Sequence, residues 1–228
     1  MYKQYDEFDR KLLENDFMKR HYECLPFIGE KYEGSRLLLI GESHYVPGDE
    51  VHCVDREDFY DISFDDLEEG TYKGWIHTRM VFEHRVYNQE NVKAFFSNPA
   101  TEIAKIINHT SSVSTNQIIE AMHQYAFMNY FKRPAYDAGQ TIEGLTETDY
   151  QYAYEVSRYI MDVLKPTLII FLSKKAFYAF RDSDQDGRIR SKYTVKCVSH
   201  PSSPWWNRQR KDGRCAREDF YDFVAEIL

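Results

Sequence analysis

Four short apolar runs alternate with longer amphipathic segments along the chain. The runs are rich in leucine, β-branched or aromatic residues and end in polar or turn-forming residues, as buried strands do. They cover residues 36–41, 125–131, 167–173 and 193–200. Helical periodicity covers residues 91–109, 116–124, 149–164, 174–181 and 217–228. Strands separated by helices predict a three-layer α/β/α domain with a central four-stranded parallel sheet.

Proline positions and one long polar stretch refine this layout. Pro99 is expected to start or kink the second half of the 91–109 helix, and Pro166 to end the 149–164 helix. The polar stretch at 46–90 is predicted to be an insertion, a lid or a solvated loop, whose residues 73–80 could pack on the body. The 228 residues are predicted to form a single domain, 1–228, that also has an N-terminal helix.

Composition narrows the class of protein. The apolar fraction of 43% predicts a folded globular chain. The net charge of −8 disfavours a protein that coats nucleic acid without specificity. The scattered cysteines form no C-x-x-C pair, so we expect no metal site and no disulfide framework. With no apolar run long enough to span a membrane, the expected location is cytoplasmic, and we expect no cofactor and no membrane partner.

Side chains that can bind a ligand or take part in catalysis follow the first predicted strand. In parallel sheets, ligands bind beyond the carboxyl ends of the strands. Gly41 would let the chain turn sharply or let a ligand approach the backbone. Glu42, Ser43, His44 and Tyr45 would then surround the mouth of the crevice.

The second predicted strand contains a polar residue within its apolar run. Asn129 both donates and accepts hydrogen bonds, which suits the edge of a nucleobase, although neighbouring backbone groups could equally satisfy it. Lys132 and Arg133 follow and are predicted to face phosphates.

The fourth predicted strand ends in His200-Pro201, which would place an imidazole at the same crevice. Ser202 and Ser203 offer hydroxyl and amide groups to an anion. Aromatic rings among basic residues follow and fit a nucleic-acid surface, or else a solvated basic loop with its rings packed inward. They include Trp205, Trp206, Arg208 and Arg210.

These three segments, in this order, resemble the motifs of the uracil-DNA glycosylase superfamily. The first motif matches at Gly41, Glu42 and Tyr45, the Asn-bearing strand at Asn129, Lys132 and Pro134, and the second motif at His200, Pro201 and Ser202. The resemblance spans roughly residues 36–206, with no counterpart for the N-terminal helix or for 46–124. It implies a DNA-repair-type enzyme that hydrolyses the N-glycosidic bond of a deaminated or damaged, uracil-like base flipped out of DNA.

The resemblance also implies roles for single residues. His200 would donate a hydrogen bond to the base carbonyl, and Asn129 would read the base edge. Tyr45 stands where one branch of the superfamily has a tyrosine that excludes the thymine methyl group. Ser202, Ser203 and nearby backbone amides would hold phosphates. The intercalating wedge would be Pro204, Trp205 or Trp206, with Arg208 and Arg210 as further DNA contacts.

Two departures from the family pattern affect catalysis. The most active branch has an aspartate where this chain has Ser43, so Glu42 becomes the candidate acid–base residue. The cysteines do not match the iron–sulfur ligands of the branch with the G-E-x-P-G motif, so no metal cluster is expected.

Two other functions remain open. One is a catalytically weak or inactive nucleic-acid or nucleobase binder on the same fold. The other is a hydrolase of a small substrate that uses Ser43 or Ser202 with His44 or His200, although neither serine lies in a G-x-S-x-G elbow. The sequence identifies no protein partner.

Overall fold

The protein has an α/β fold built on one mixed sheet. The computed structural model describes residues 6–46, 59–67, 72–87, 93–135 and 141–228. The strands are β1 (Phe27–Ile28), β2 (Leu37–Gly41), β3 (Tyr125–Asn129), β4 (Leu168–Phe171) and β5 (Thr194–Cys197). Their order across the sheet is β1-β3-β2-β4-β5.

The four strands predicted from the apolar runs are present and parallel to one another. The expected total of four strands is wrong, because β1 adds an antiparallel edge strand beside β3. Its two residues, Phe27 and Ile28, are too few to produce a periodic pattern in the sequence.

Helices connect the strands and flank the sheet. They are α1 (Asp6–Leu12), α2 (Asp16–Arg20), α3 (Tyr32–Ser35), α4 (Tyr72–Ile76), α5 (Thr78–Tyr87), α6 (Ala94–Asn108), α7 (Thr115–Met122), α8 (Glu147–Leu164), α9 (Lys174–Ser183), α10 (Arg188–Lys192) and α11 (Ala216–Ala225). Pro99 does not start a helix, since α6 begins at Ala94 and continues across it. The predicted helix before Pro166 is α8, which begins with a capping box formed by Thr146 and Asp149.

Alternate strand residues pack into two hydrophobic clusters. Leu38, Ile40, Met128 and Phe171 belong to the cluster that includes Ile160 of α8. Leu37, Leu39, Phe127 and Ile170 belong to the second cluster, with residues of α6, α7 and α11. Because successive strand residues point to opposite faces, each face of the sheet contributes to one of the two clusters, and both clusters include helix residues.

Strand order locates a crevice. The chain passes from β2 to β3 on one side and then crosses to β4 on the other side of β2. The strand-order reversal therefore lies at β2, whose carboxyl end is Gly41. Ligands of such sheets bind beyond this point.

The described part of the insertion packs on the body, as predicted for residues 73–80. Arg79 of α5 is fully buried and forms a two-pronged ion pair with Asp9 of α1, with nitrogen–oxygen distances of 2.6 and 2.8 Å. Arg79 also donates to the carbonyl of Pro26. Phe82 stacks on Phe27 with ring centroids 4.6 Å apart. The rest of the predicted insertion, residues 47–58, 68–71 and 88–90, lies outside the described residues.

Candidate functional site

A cleft of about 510 Å³ opens at the carboxyl end of the parallel strands. Its size is within the usual range of small-molecule sites. Glu42, Asn129 and His200 all line it, so the tails of β2, β3 and β5 meet in one place. The other lining residues are Ser43, His44, Tyr45, Trp75, Thr78, Val81, Phe82, Lys93, Phe95, Phe96, Phe127, Thr141, Ser202 and Ser203.

Gly41 lets the Asn129 side chain lie against the backbone of β2. The two residues face each other across the β2–β3 pair. A Cβ at position 41 would collide with Asn129 Oδ1 and lie 2.8 Å from the Phe127 ring. Within the described residues no group hydrogen-bonds to the Asn129 carboxamide, so its donor and acceptor remain open to a ligand.

The Glu42 carboxylate is held by donors from two other segments. Oε2 accepts from Ser173 Oγ at 2.6 Å, at the end of β4. Oε1 accepts from the Ile142 amide at 3.0 Å and from the Thr141 hydroxyl. An ionised carboxylate has about four lone-pair sites, so roughly one remains for a water or a ligand. The arrangement fixes a negative charge at the centre of the strand ends.

His44 connects β2 to the insertion. The residue is buried, and its Nε2 lies 2.8 Å from Thr78 Oγ1 of α5. Burial, with smaller contributions from His77 and Lys132, lowers the pKa of His44 to about 3. His44 is therefore neutral near pH 7 and acts as a structural link between β2 and α5. Tyr45 continues the wall of the cleft and forms a parallel β-bridge with Ala135.

The loop after β5 orients the His200 ring. The Ser202 backbone N–H donates to His200 Nδ1 at 3.3 Å, and the ring stacks on Phe95 with centroids 4.9 Å apart. Asn98 of α6 donates to the Pro201 carbonyl at 2.8 Å and holds the loop in place. Because Nδ1 accepts a hydrogen bond, the proton of the neutral ring resides on Nε2, which becomes a donor.

The pKa of His200 is lowered. Desolvation at the stacked ring is the larger cause, and the negative charge of Glu42 acts in the opposite direction. The neutral form with an Nε2 proton is thus favoured near neutral pH.

Three predicted DNA contacts are wrong because their side chains are buried. Arg133 is fully buried and its Nε donates to Asp149 at 2.7 Å. Lys132 is 3% exposed and its ammonium donates to the backbone carbonyl of Asn129 at 2.8 Å. Trp206 is 1% exposed and packs on Phe220 in the second core cluster. None of the three can reach a phosphate or a base step.

The remaining predicted contacts lie at the surface. Ser202 and Ser203 line the cleft. Trp205 is 56% exposed, with the Arg208 guanidinium 4.5 Å from its ring centroid. Arg210 is exposed and pairs with Asp212 and Asp219. The neutralisation of Arg210 reduces the basic character that the sequence predicts for this loop.

No sequence pattern identifies several of the cleft residues. Phe95, Phe96 and Phe127 fit the apolar periodicity of core positions, and no local signal marks them as cleft residues. Trp75 and Lys93 come from the insertion and from the start of α6, which are far from the motif segments in the chain. Thr141 lies at the site, where its hydroxyl donates to the Glu42 carboxylate.

Among the described residues, no serine hydroxyl pairs with a histidine ring at the cleft. His44 Nε2 contacts Thr78, and His200 Nδ1 accepts from the Ser202 backbone and not from a hydroxyl. This geometry gives no support to the serine-hydrolase alternative.

No protein-family model matches the chain, and no curated protein matches it. In the part of the chain that the structure describes, no group of three or more His, Cys, Asp or Glu side chains could hold a metal ion. None of the described helices is long and apolar enough to cross a membrane.

Proposed function

We propose that the protein is a base-excision glycosylase that hydrolyses the N-glycosidic bond of a deaminated or damaged base flipped out of DNA. The observation that supports the proposal most is that Glu42, Asn129 and His200 line one cleft. The three-layer α/β/α, uracil-DNA-glycosylase-like arrangement of the domain is part of the same proposal.

The first requirement of the reaction is stabilisation of the leaving base. When the bond between the sugar C1′ and the base nitrogen breaks, its electron pair leaves with the base, which becomes anionic. The neutral His200 ring can donate from Nε2 to the base carbonyl on which this charge develops. The open carboxamide of Asn129 can donate to and accept from the base edge.

The second requirement is stabilisation of the sugar. Positive charge grows on the sugar as the bond breaks, as in other glycosyl transfers. The fixed carboxylate of Glu42 can stabilise this charge and use its remaining lone pair to orient a water molecule. The water oxygen then bonds to C1′, one of its protons passes to solvent or to Glu42, and the base takes up a proton on release.

Oligonucleotides with a single uracil, hypoxanthine or xanthine test the proposal. The expected product is an abasic site that alkali converts to a strand break. Folded protein that releases none of these bases would refute the proposal. We expect His200→Ala to lower the rate by roughly 10²–10³-fold, the usual effect of losing one donor to a developing anion.

Two variants of Asn129 and one control variant separate an effect on catalysis from an effect on folding. Asn129→Asp keeps the size of the side chain but places a second carboxylate near the anionic base, so its activity should fall below that of Asn129→Ala. Gln151→Ala, an exposed position of α8 outside the cleft, should retain full activity. Equal rates for wild type and both Asn129 variants would remove this residue from the site.

A second candidate, a nucleobase or nucleic-acid binder without catalysis, is favoured by one observation. The Glu42 carboxylate is already engaged by Thr141, Ile142 and Ser173, and the neighbouring Ser43 has no carboxylate. Salt-sensitive binding to DNA without base release would support this alternative.

A further inference from the structure

The outer end of the cleft is formed by two aromatic rings and an ammonium group. The rings of Tyr45 and Trp75 lie 5.9 Å apart at an angle of 39°. Lys93 Nζ lies 5.4 Å from the Trp75 ring centroid and 5.8 Å from that of Tyr45. It also donates to the Tyr45 hydroxyl at 3.2 Å. All three residues line the cleft.

Core packing does not account for this group. Trp75 is 39% exposed, whereas the ring of Phe82 from the next helix is almost completely buried. Lys93 is exposed, and no carboxylate among the described residues pairs with its ammonium. An exposed indole beside a cation that no described carboxylate neutralises is a surface suited to a flat ring that carries a negative charge nearby.

We propose that Tyr45, Trp75 and Lys93 form an outer subsite for the nucleotide next to the one in the inner cleft. Trp75 stacks on the neighbouring base, and Lys93 contacts the phosphate between the two nucleotides. The ligand is therefore a nucleic-acid strand with unpaired bases, and a free nucleoside would leave this subsite empty. The nucleotide in the inner cleft belongs to the proposed glycosylase function, on which this part of the inference rests. The outer subsite can be tested without catalysis.

The single strand is the favoured partner because its neighbouring base is free to stack. In a duplex that base is already stacked and paired, and freeing it costs energy. Stacking on an aromatic side chain tolerates any base, since every base has a π face. A cation that tracks the backbone supplies the rest of the affinity.

The test is binding of a fluorescein-labelled oligothymidylate without any lesion, followed by fluorescence anisotropy at several salt concentrations. Loss of one base–aromatic stack corresponds to roughly 5- to 150-fold in affinity, which is the expected effect of Trp75→Ala. Trp75→Phe keeps a stacking ring and should recover most of the affinity. Lys93→Gln should lower the salt slope by about 0.7, the contribution of one phosphate of a single strand.

Tyr178→Ala provides the matched control. Tyr178 is 47% exposed and has the Arg181 guanidinium 5.0 Å from its ring centroid, but it does not line the cleft. The subsite requires Trp75→Ala to weaken binding and Tyr178→Ala to leave it unchanged. Equal effects of the two variants, tighter binding of a duplex, or no binding by the wild type would each overturn the inference.

The outcomes distinguish the subsite from the proposed reaction. Trp75-dependent binding of the strand without base release keeps the subsite and refutes the glycosylase. Base release with unchanged binding in Trp75→Ala keeps the glycosylase and refutes the subsite. An oligodeoxyadenylate and an oligoadenylate of equal length, which differ only in the 2′-hydroxyl, show in parallel whether the strand is DNA or RNA.

Discussion

Two basic segments of the chain have opposite environments. Lys132 and Arg133 follow β3 and are buried, with a backbone carbonyl and the Asp149 carboxylate as partners. Arg208 and Arg210 follow β5 and are exposed, yet Arg210 is paired with two aspartates. The sequence predicts phosphate contacts for both segments. The difference shows that the charge of a basic residue at a strand end is available to a ligand only where it is both exposed and uncompensated.

Arg133→Met should have the largest effect on stability. It removes the guanidinium from a fully buried carboxylate, Asp149, and we expect a loss of about 3–5 kcal/mol in the free energy of unfolding. Urea denaturation measures it. Arg181→Met, at an exposed pair with Asp182, is the control and should cost less than ~1 kcal/mol. A similar loss in both variants would remove the contrast between the buried and exposed segments.

Lys132→Met should stabilise the protein at neutral pH. Burial lowers the pKa of Lys132 from 10.5 to about 8, so the unfolded chain holds this proton to higher pH than the folded one. Wild-type stability should therefore rise between pH 8 and 10.5, and the variant should lack this rise. The net gain at pH 7 is roughly 1–3 kcal/mol, since the hydrogen bond to the Asn129 carbonyl is lost.

Thermal unfolding of both proteins from pH 6 to pH 10 measures the difference. Parallel curves for wild type and Lys132→Met would contradict a buried, desolvated ammonium.

Arg208→Ala should act on binding and hardly on stability. Its guanidinium lies over the exposed Trp205 ring, and we expect a stability change within about 0.5 kcal/mol. If the loop contacts duplex DNA, the slope of log affinity against log salt should decrease by about 0.9. An unchanged slope would place Arg208 outside the interface.

Arg210→Ala should have the smallest effect. Its charge is already compensated by Asp212 and Asp219, so we expect ~0–1 kcal/mol in stability and no change in DNA affinity. Asp219→Asn sharpens the comparison, because it removes the carboxylate that Arg210 and Arg214 share and leaves them only Asp212 and Asp222. The loop becomes more positive, so salt-dependent binding should strengthen. Weaker binding in Asp219→Asn would contradict this account.

Patterns confined to one segment predicted the main features of the fold. The parallel strands follow from short apolar runs, and the meeting of Glu42 and Asn129 follows from the rule that ligands lie beyond strand ends. The burial of Arg133 could not be predicted in this way. Its partner Asp149 belongs to a capping box that marks the start of α8, and nothing local shows that this box faces β3.

The aromatic part of the cleft was unpredictable for a related reason. Phe95 and Phe127 have the spacing of core residues, and both line the cleft with rings that are half buried and buried, respectively. Their sequence pattern is therefore that of core positions. The place of Trp75 at the cleft could be predicted only from the position of the insertion on the body. That position depends on the buried ion pair between Arg79 and Asp9. Chemistry that depends on contacts between distant segments leaves no periodic signal in the chain.

Because Arg79 of α5 forms an ion pair with Asp9 of α1, the wall of the cleft that α5 provides depends on the amino-terminal helix. The two residues are 70 positions apart, and Arg79 adjoins Thr78, the partner of His44. Removal of α1 would deprive a fully buried guanidinium of its carboxylate and weaken the docking of α5 against β2. An amino-terminal truncation would thus alter access to the cleft from a site outside it.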